Sequence, residues 1–299
     1  MTATTAPLGR VLTAMVTPFT PDGALDLEAA ARVATHLVDA GNDGLVVSGT
    51  TGESPTTTDA EKEQLVRVVL DAVGSRATVV AGVGTSDTAH SVQLARDAAK
   101  AGAHGTLVVT PYYSKPPQAG IVSHMVQVAE AGGLPVLVYD IPGRTGVKLS
   151  HQTLVALGAH ELVVGVKDAA GDLVAGSRVM AETDLAYYSG DDAANLAWLA
   201  HGAVGVVSVV AHVAGRDYAA MIAALDRGDL AEARRINTSL LPVVEAVMNR
   251  TQGAITAKAS LQLLGVLEHR TMRSPLLELD DADLALLRDA LVAAGLLGH

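Results

Sequence analysis

Short apolar runs alternate with amphipathic stretches along most of the chain. The runs Leu12–Phe19, Gly44–Gly49, Thr78–Gly84, Gly105–Pro111, Pro135–Pro142, Leu162–Asp168, Leu185–Asp191 and Val204–Val210 are rich in Val and bounded by Gly, Pro, Ser or Asp, the marks of strands. They are apolar almost continuously, which predicts burial on both faces and parallel pairing. Between them, stretches such as Leu27–Ala40, Asp59–Val73 and Thr88–Ala101 carry helical periodicity, the last two opening on a capping Asp or Thr. Eight strand–helix repeats predict an α/β fold, a closed (β/α)8 TIM barrel. The alternative, a doubly wound open sheet, places a glycine-rich phosphate loop after its first strand. Here that position reads Thr17-Pro18-Phe19-Thr20-Pro21. After the eighth run the patterns Tyr218–Arg227, Leu230–Asn249, Ala254–Leu267 and Asp281–Ala294 are all helical. We therefore expect a barrel over residues 1–225, carrying the site, and an all-helical extension over residues 226–299.

Composition removes several function classes. The net charge of −11 opposes binding to phosphate backbones and anionic membranes, so neither nucleic acid nor membrane is expected as a partner. No cysteine is present, which excludes disulfides, thiolate nucleophiles and cysteine-ligated metals. The ten histidines include no pair at i and i+4, and no metal is expected. Residues Ala193–Gly215 contain no charge and are long enough to span a bilayer. They are broken by Asn195, His201, Gly202, Gly205, Ser208 and His212, and read better as a helix followed by a buried strand. Met1–Arg10 lacks the apolar core of a signal peptide, so the expected location is cytoplasmic.

In a barrel of this kind, chemistry sits at the C-terminal ends of the strands. Lys167 alone among six lysines ends an apolar strand, Leu162-Val163-Val164-Gly165-Val166-Lys167. Alternation puts it on the face of Gly165, which is expected to leave room for its stem. Tyr139 precedes it by about one repeat and is expected on the neighbouring strand. A desolvated lysine loses its proton more readily and becomes a nucleophile towards a ketone, forming a Schiff base that then serves as an electron sink. The competing reading is a salt bridge from Lys167 to Asp168 or to a substrate carboxylate. Five of the six tyrosines, Tyr112, Tyr113, Tyr139, Tyr187 and Tyr188, fall at or near strand ends, a modest further sign of a site at that rim. The turn Ser48-Gly49-Thr50-Thr51-Gly52-Glu53-Ser54 offers hydroxyls and backbone N–H groups to a carboxylate. Arg144, between Pro142-Gly143 and Thr145-Gly146, is placed either to grip a second carboxylate or to face solvent. Asp191 and Asp192 after the seventh strand argue against a phosphate site there.

The segments Gly49-Thr50-Thr51-Gly52-Glu53-Ser54, Thr110-Pro111-Tyr112-Tyr113, Tyr139-Asp140-Ile141-Pro142-Gly143-Arg144-Thr145-Gly146 and Gly165-Val166-Lys167-Asp168 resemble the dihydrodipicolinate synthases of the pyruvate-dependent aldolase superfamily. The resemblance runs from about Leu12 into the helical tail, with the motifs in the family's order. It implies a class I aldolase-type lyase that condenses pyruvate with aspartate semialdehyde in lysine and diaminopimelate biosynthesis. No cofactor would be needed beyond a covalent Schiff base of pyruvate on Lys167. Tyr139, Thr51 and Tyr113 would relay protons, Tyr113 reaching in from a neighbouring subunit of a homotetramer. Thr50 and Thr51 would hold the pyruvate carboxylate and Arg144 that of the semialdehyde, while Gly190 and Val207 would line the pocket. Asp140 departs from the Asn common in the family and, by strand parity, points away from Tyr139.

Two rivals share parts of this set. A sister aldolase acting on N-acetylneuraminate or a 2-keto-3-deoxy sugar acid would keep Lys167 and Tyr139 but call for more hydroxyl and amide partners than Arg144, Thr50 and Thr51 supply. A barrel that binds a keto acid without turnover would be expected to lack part of the Lys–Tyr–Thr set, which is complete here. The resemblance also bears on feedback by lysine. By position the chain keeps Ser54 and Tyr112 of the family's lysine pocket. It carries Pro55, Asp59, Lys62, Ser86 and His90 where feedback-sensitive relatives tend to have Ala, His, His, Asn and Glu. Weak or absent inhibition by lysine is expected.

Overall fold

The computed structural model describes residues 6–298. Met1–Thr5, half of the segment considered for a leader, lie outside the described residues. Eight strands, β1 (Val11–Ala14), β2 (Gly44–Val47), β3 (Thr78–Gly82), β4 (Gly105–Val109), β5 (Val136–Asp140), β6 (Val163–Asp168), β7 (Ala186–Ser189) and β8 (Gly205–Ser208), form a closed barrel in sequence order. Every pairing is parallel, and β8 returns to β1 through Val207 opposite Leu12. The helices between them are α1 (Leu27–Asp39), α2 (Asp59–Val73), α3 (Thr88–Ala101), α4 (Gln118–Gly132), the single turn α5 (Pro142–Thr145), α6 (His151–Gly158), α7 (Leu173–Glu182) and α8 (Asn195–Ala200). Helix α9 (Ala211–Asp226) follows the last strand, and α10 (Leu230–Met248), α11 (Gly253–Leu263) and α12 (Asp281–Ala293) complete the chain.

Alternation along each strand divides the buried side chains between two layers. Leu12, Val46, Val80, Leu107, Leu137, Tyr139, Tyr188 and Val207 fill the barrel interior. Val47, Val79, Val108, Val138 and Val166 face the helices. Helices α10 and α11 pack against α9, α12 packs on α10 and α11, and together they share a core with Val11 and Val206 of the barrel. Local signals set the helix starts: Thr58 and Glu61 form a reciprocal capping box at α2, and Asp87 caps α3.

The strands are shorter than the apolar runs. Leu12–Phe19 becomes Val11–Ala14, and Gly44–Gly49 stops at Val47. The trimmed residues lie mainly at the C-terminal ends, where the chain leaves the ladder while still buried: Met15, Val16 and Phe19 are each at most 2% exposed. Pro142, expected to end a strand, instead opens α5, its missing N–H being harmless at a first helical position. The uncharged stretch 193–215 is α8, β8 and the start of α9. Among the described residues, no helix is long and apolar enough to cross a membrane.

Candidate active site

Strands β3 to β6 and the loops that follow β2, β4 and β5 build the site. At the end of β6, Lys167 is 5% exposed. It lies opposite Tyr139 in the β5–β6 ladder, and its Nζ sits 4.0 Å from the centre of the Tyr139 ring. Burial pulls the amine's pKa down to about 8, with the Asp192 carboxylate opposing that shift and the Arg144 guanidinium adding to it. Tyr139 itself is 4% exposed and its phenol is held protonated by burial. Lys167 does not pair with Asp168. That carboxylate lies on the other face of β6 and accepts the backbone N–H groups of Ala170 and Gly171 at 2.9 and 3.0 Å.

Room for the lysine comes from a different glycine than expected. A Cβ on Gly190 would lie 2.9 Å from Lys167 Cγ and 3.1 Å from Cε, so a side chain there would displace the lysine's stem. Gly165 serves close strand packing instead: a Cβ there would meet the Ala186 carbonyl at 2.4 Å.

Above Tyr139 opens a cavity of about 190 Å³ lined by Thr50, Tyr112, Tyr139, Arg144 and a wall of small or apolar residues, among them Gly49, Gly82, Gly84, Leu107 and Val109. Glycines are required in that wall. A Cβ on Gly82 would strike the Ser48 carbonyl at 2.4 Å, and one on Gly84 the Val109 nitrogen at 2.3 Å. Arg144 stands on α5, fixed below by Thr145, whose hydroxyl donates to the carbonyls of Ile141 and Val147. Thr51 is buried beside this opening, in a turn closed by Gly52 N–H to Gly49 O at 3.0 Å and Glu53 N–H to Thr50 O at 3.1 Å.

Not every expected residue gathers here. Tyr113 is 93% exposed with φ +71°, and turns outward from its own barrel. Val207 lies in the interior cluster below the cavity. Tyr187 and Tyr188 belong to the core rather than the rim. Tyr187 packs on Trp198 with ring centres 5.7 Å apart, and the Tyr188 hydroxyl accepts from the Leu8 N–H at 3.4 Å, deep at the opposite end of the barrel. Nothing in the sequence singles out Ser48, yet it lines the cavity with its hydroxyl buried and unpartnered. Its φ of +58° puts a non-glycine residue in the left-handed region, a departure no sequence pattern announces.

Asp192 fills the rim after β7 and β8 with a carboxylate of the chain itself. Its carboxylate accepts the backbone N–H groups of Val209 and Val210 at 2.9 and 3.1 Å and is hydrogen-bonded to the Ser208 hydroxyl. The donors at the head of α9 are already occupied by an internal anion. Among the described residues, no group of three or more His, Cys, Asp or Glu side chains is placed to hold a metal.

The site thus brings together a desolvated amine, the phenol ring it stacks on, and a small cavity with one guanidinium. In comparison with known sequences, the profile of the Dihydrodipicolinate synthetase family matches residues 7–294. The chain belongs to that family. It is 63% identical over 290 residues to the 4-hydroxy-tetrahydrodipicolinate synthase of Acidothermus cellulolyticus, covering 97% of this chain and 94% of that one. Identity to the same-named protein of Kineococcus radiotolerans is 61%, with the same coverage. Among solved structures, the dihydrodipicolinate synthase of Cyanidioschyzon merolae with lysine bound superposes with a TM-score of 0.94 at 41% identity, covering 97% of this chain and 99% of that one. The barrel with its C-terminal helices is thus the architecture of the dihydrodipicolinate synthetase family.

Proposed function

We propose that this chain condenses pyruvate with L-aspartate 4-semialdehyde to 4-hydroxy-tetrahydrodipicolinate, in lysine and diaminopimelate biosynthesis. The observation that carries the proposal is the pairing of Lys167 with Tyr139 at the mouth of the barrel. With its pKa near 8, Lys167 is deprotonated in a useful fraction of molecules at neutral pH. The free amine attacks C2 of pyruvate, and loss of water leaves an iminium. Release of a C3 proton gives an enamine, whose carbon attacks the aldehyde; the aldehyde oxygen takes up a proton and becomes the hydroxyl. The semialdehyde's own amine then attacks C2, closing the ring and returning Lys167 as a free amine.

Tyr139, Thr51 and Tyr113 are the proton carriers in this scheme. The exposed Tyr113 would complete the relay from a neighbouring subunit, within a cytoplasmic homotetramer. Thr50 and Thr51 hold the pyruvate carboxylate, and Arg144 holds that of the semialdehyde. Gly190 clears the path of the Lys167 stem, and Val207 supports the pocket floor. No cofactor or metal takes part. The small, glycine-lined cavity suits two short acids better than a polyhydroxylated sugar acid, whose hydroxyls would need polar partners. A turnover assay with pyruvate and aspartate semialdehyde, run beside N-acetylneuraminate and 2-keto-3-deoxy sugar acids, tests this. Condensation with the first pair supports the proposal, and cleavage of a sugar acid alone contradicts it.

A further inference from the structure

The turn that carries Thr50 and Thr51 ends at Glu53, whose φ of +54° is left-handed. A residue with a Cβ holds that conformation only where its surroundings over-determine it. The Glu53 carboxylate is buried and both of its oxygens are taken by the C-terminal extension. Oε1 accepts from Lys258 Nζ on α11 at 2.5 Å, with the two side chains 1% and 0% exposed. Oε2 accepts from the backbone N–H of Arg273 at 3.0 Å. Lys258 is anchored in turn by the Thr271 carbonyl at 2.7 Å and by the Phe19 ring, whose centre lies 4.2 Å from Nζ. The Arg273 guanidinium grips Glu61 and the Thr56 carbonyl on the far side of the same loop.

Apart from this clasp, the turn is held by short backbone bonds, by the Thr17 hydroxyl on the Gly52 carbonyl at 2.6 Å and by the Thr56 hydroxyl on the Glu53 carbonyl at 3.1 Å. A fully buried ion pair is not needed for stability, since apolar side chains of similar volume often serve as well. What it adds here is direction: two fixed donors aim one carboxylate, and the carboxylate ends a strained turn.

We infer that the buried Glu53–Lys258 pair is the strut that fixes the double-threonine turn, making both positioning residues and the helical extension part of the active site. This rests on the proposal that Thr50 and Thr51 hold the pyruvate carboxylate. Neither strut residue lines the cavity, so each acts through the threonines. Loosening the strut degrades pyruvate binding while leaving the Arg144 side of the site alone.

The variant that tests this is Glu53→Gln with Lys258→Met, which removes both charges together and leaves no buried ion unpaired. Kinetics are normalised to the sites that borohydride traps with pyruvate. We expect a pyruvate KM raised roughly tenfold, a lower kcat per trapped site, and a semialdehyde KM nearly unchanged. A purely structural pair would reduce the number of active sites and leave per-site kcat and pyruvate KM at wild-type values; that result overturns the inference. If the double variant does not accumulate, Glu53→Gln alone decides, since it keeps the shape and one accepting oxygen, and an unchanged pyruvate KM again overturns the strut. Thr50→Val and Thr51→Val run alongside. If they leave pyruvate KM unchanged, the carboxylate assignment itself falls; if they raise it while the pair variants do not, only the strut falls.

Discussion

Tyr139 and Lys167 face each other across the β5–β6 ladder, the lysine Nζ standing 4.0 Å from the centre of the phenol ring. The ring helps to desolvate the amine and lines the cavity, and in the proposed relay its hydroxyl also carries protons. Tyr139→Phe separates these roles, because it keeps the ring and deletes the hydroxyl. We expect Lys167 still to form its pyruvate adduct while kcat falls by about 10²- to 10⁴-fold. Tyr113→Phe should behave similarly. Mixed with Lys167→Ala it should recover part of the activity, as required if the tyrosine is supplied across subunits. Near-normal turnover in Tyr139→Phe contradicts the relay.

Arg144 stands on a rigid turn and contributes to lowering the Lys167 pKa. Arg144→Ala should therefore do two things. It should raise the KM for aspartate semialdehyde far more than that for pyruvate, since a charge-assisted clamp is lost on one substrate. It should also move the alkaline rise of activity upward in pH. Equal KM effects on both substrates would assign the arginine a structural role.

Asp140 occupies the outer face of β5, opposite Asp168 in the ladder. Burial raises its pKa to about 7; the Asp168 charge adds to the rise, and the Leu149 N–H and Lys148 oppose it. The folded-state pKa is thus above the unfolded value, so the stability contributed by protonated Asp140 is present at low pH and lost as pH rises through about 7. Asp140→Asn keeps an acceptor for the Leu149 N–H and cannot ionise. It should raise Tm at pH 8, by an amount on the order of 1–3 kcal/mol in stability, and the gain should shrink steadily towards pH 4. A gain independent of pH contradicts ionisation as the cause.

Inhibition by lysine should be weak or absent. Asp59 could have replaced a lost ligand for a lysine ammonium, but both of its oxygens lie 3.0 Å from His90 Nε2, and Lys62 Nζ is 3.9 Å away. The carboxylate is thus engaged within the chain. Losing one charge-assisted bond costs about 1.5–3 kcal/mol, roughly 10- to 100-fold in affinity. L-lysine titrated into the coupled assay should leave activity largely intact through the millimolar range, and half-inhibition below that range contradicts the expectation.

Much of this was legible in the chain. Continuous apolar strands and the lysine ending one of them are local patterns, and barrel alternation turns Lys167 and Tyr139 towards one another. The rim was harder to read, because strand ends and site loops share the same apolar composition: Ser48, buried and left-handed, looks like one more strand residue. Tyr187 and Tyr188 show the converse error. Their position near a strand end suggests the rim, but alternation sends one outward to Trp198 and the other down the barrel to Leu8. Gly165 and Gly190 are indistinguishable by type, and only the three-dimensional path of the Lys167 stem separates them. The Glu53–Lys258 bond joins positions 205 residues apart, a contact that no local periodicity encodes.

The central claim is that Lys167 is the Schiff-base nucleophile, and covalent trapping tests it most directly. The protein is incubated with pyruvate and borohydride across pH, then digested and mapped by peptide mass spectrometry. We expect a single reduced pyruvate adduct on Lys167, forming faster as pH climbs and levelling off above about 8, where the buried amine has lost its proton. Absence of an adduct, or an adduct on Lys148 or Lys258 with Lys167 unmodified, contradicts the account.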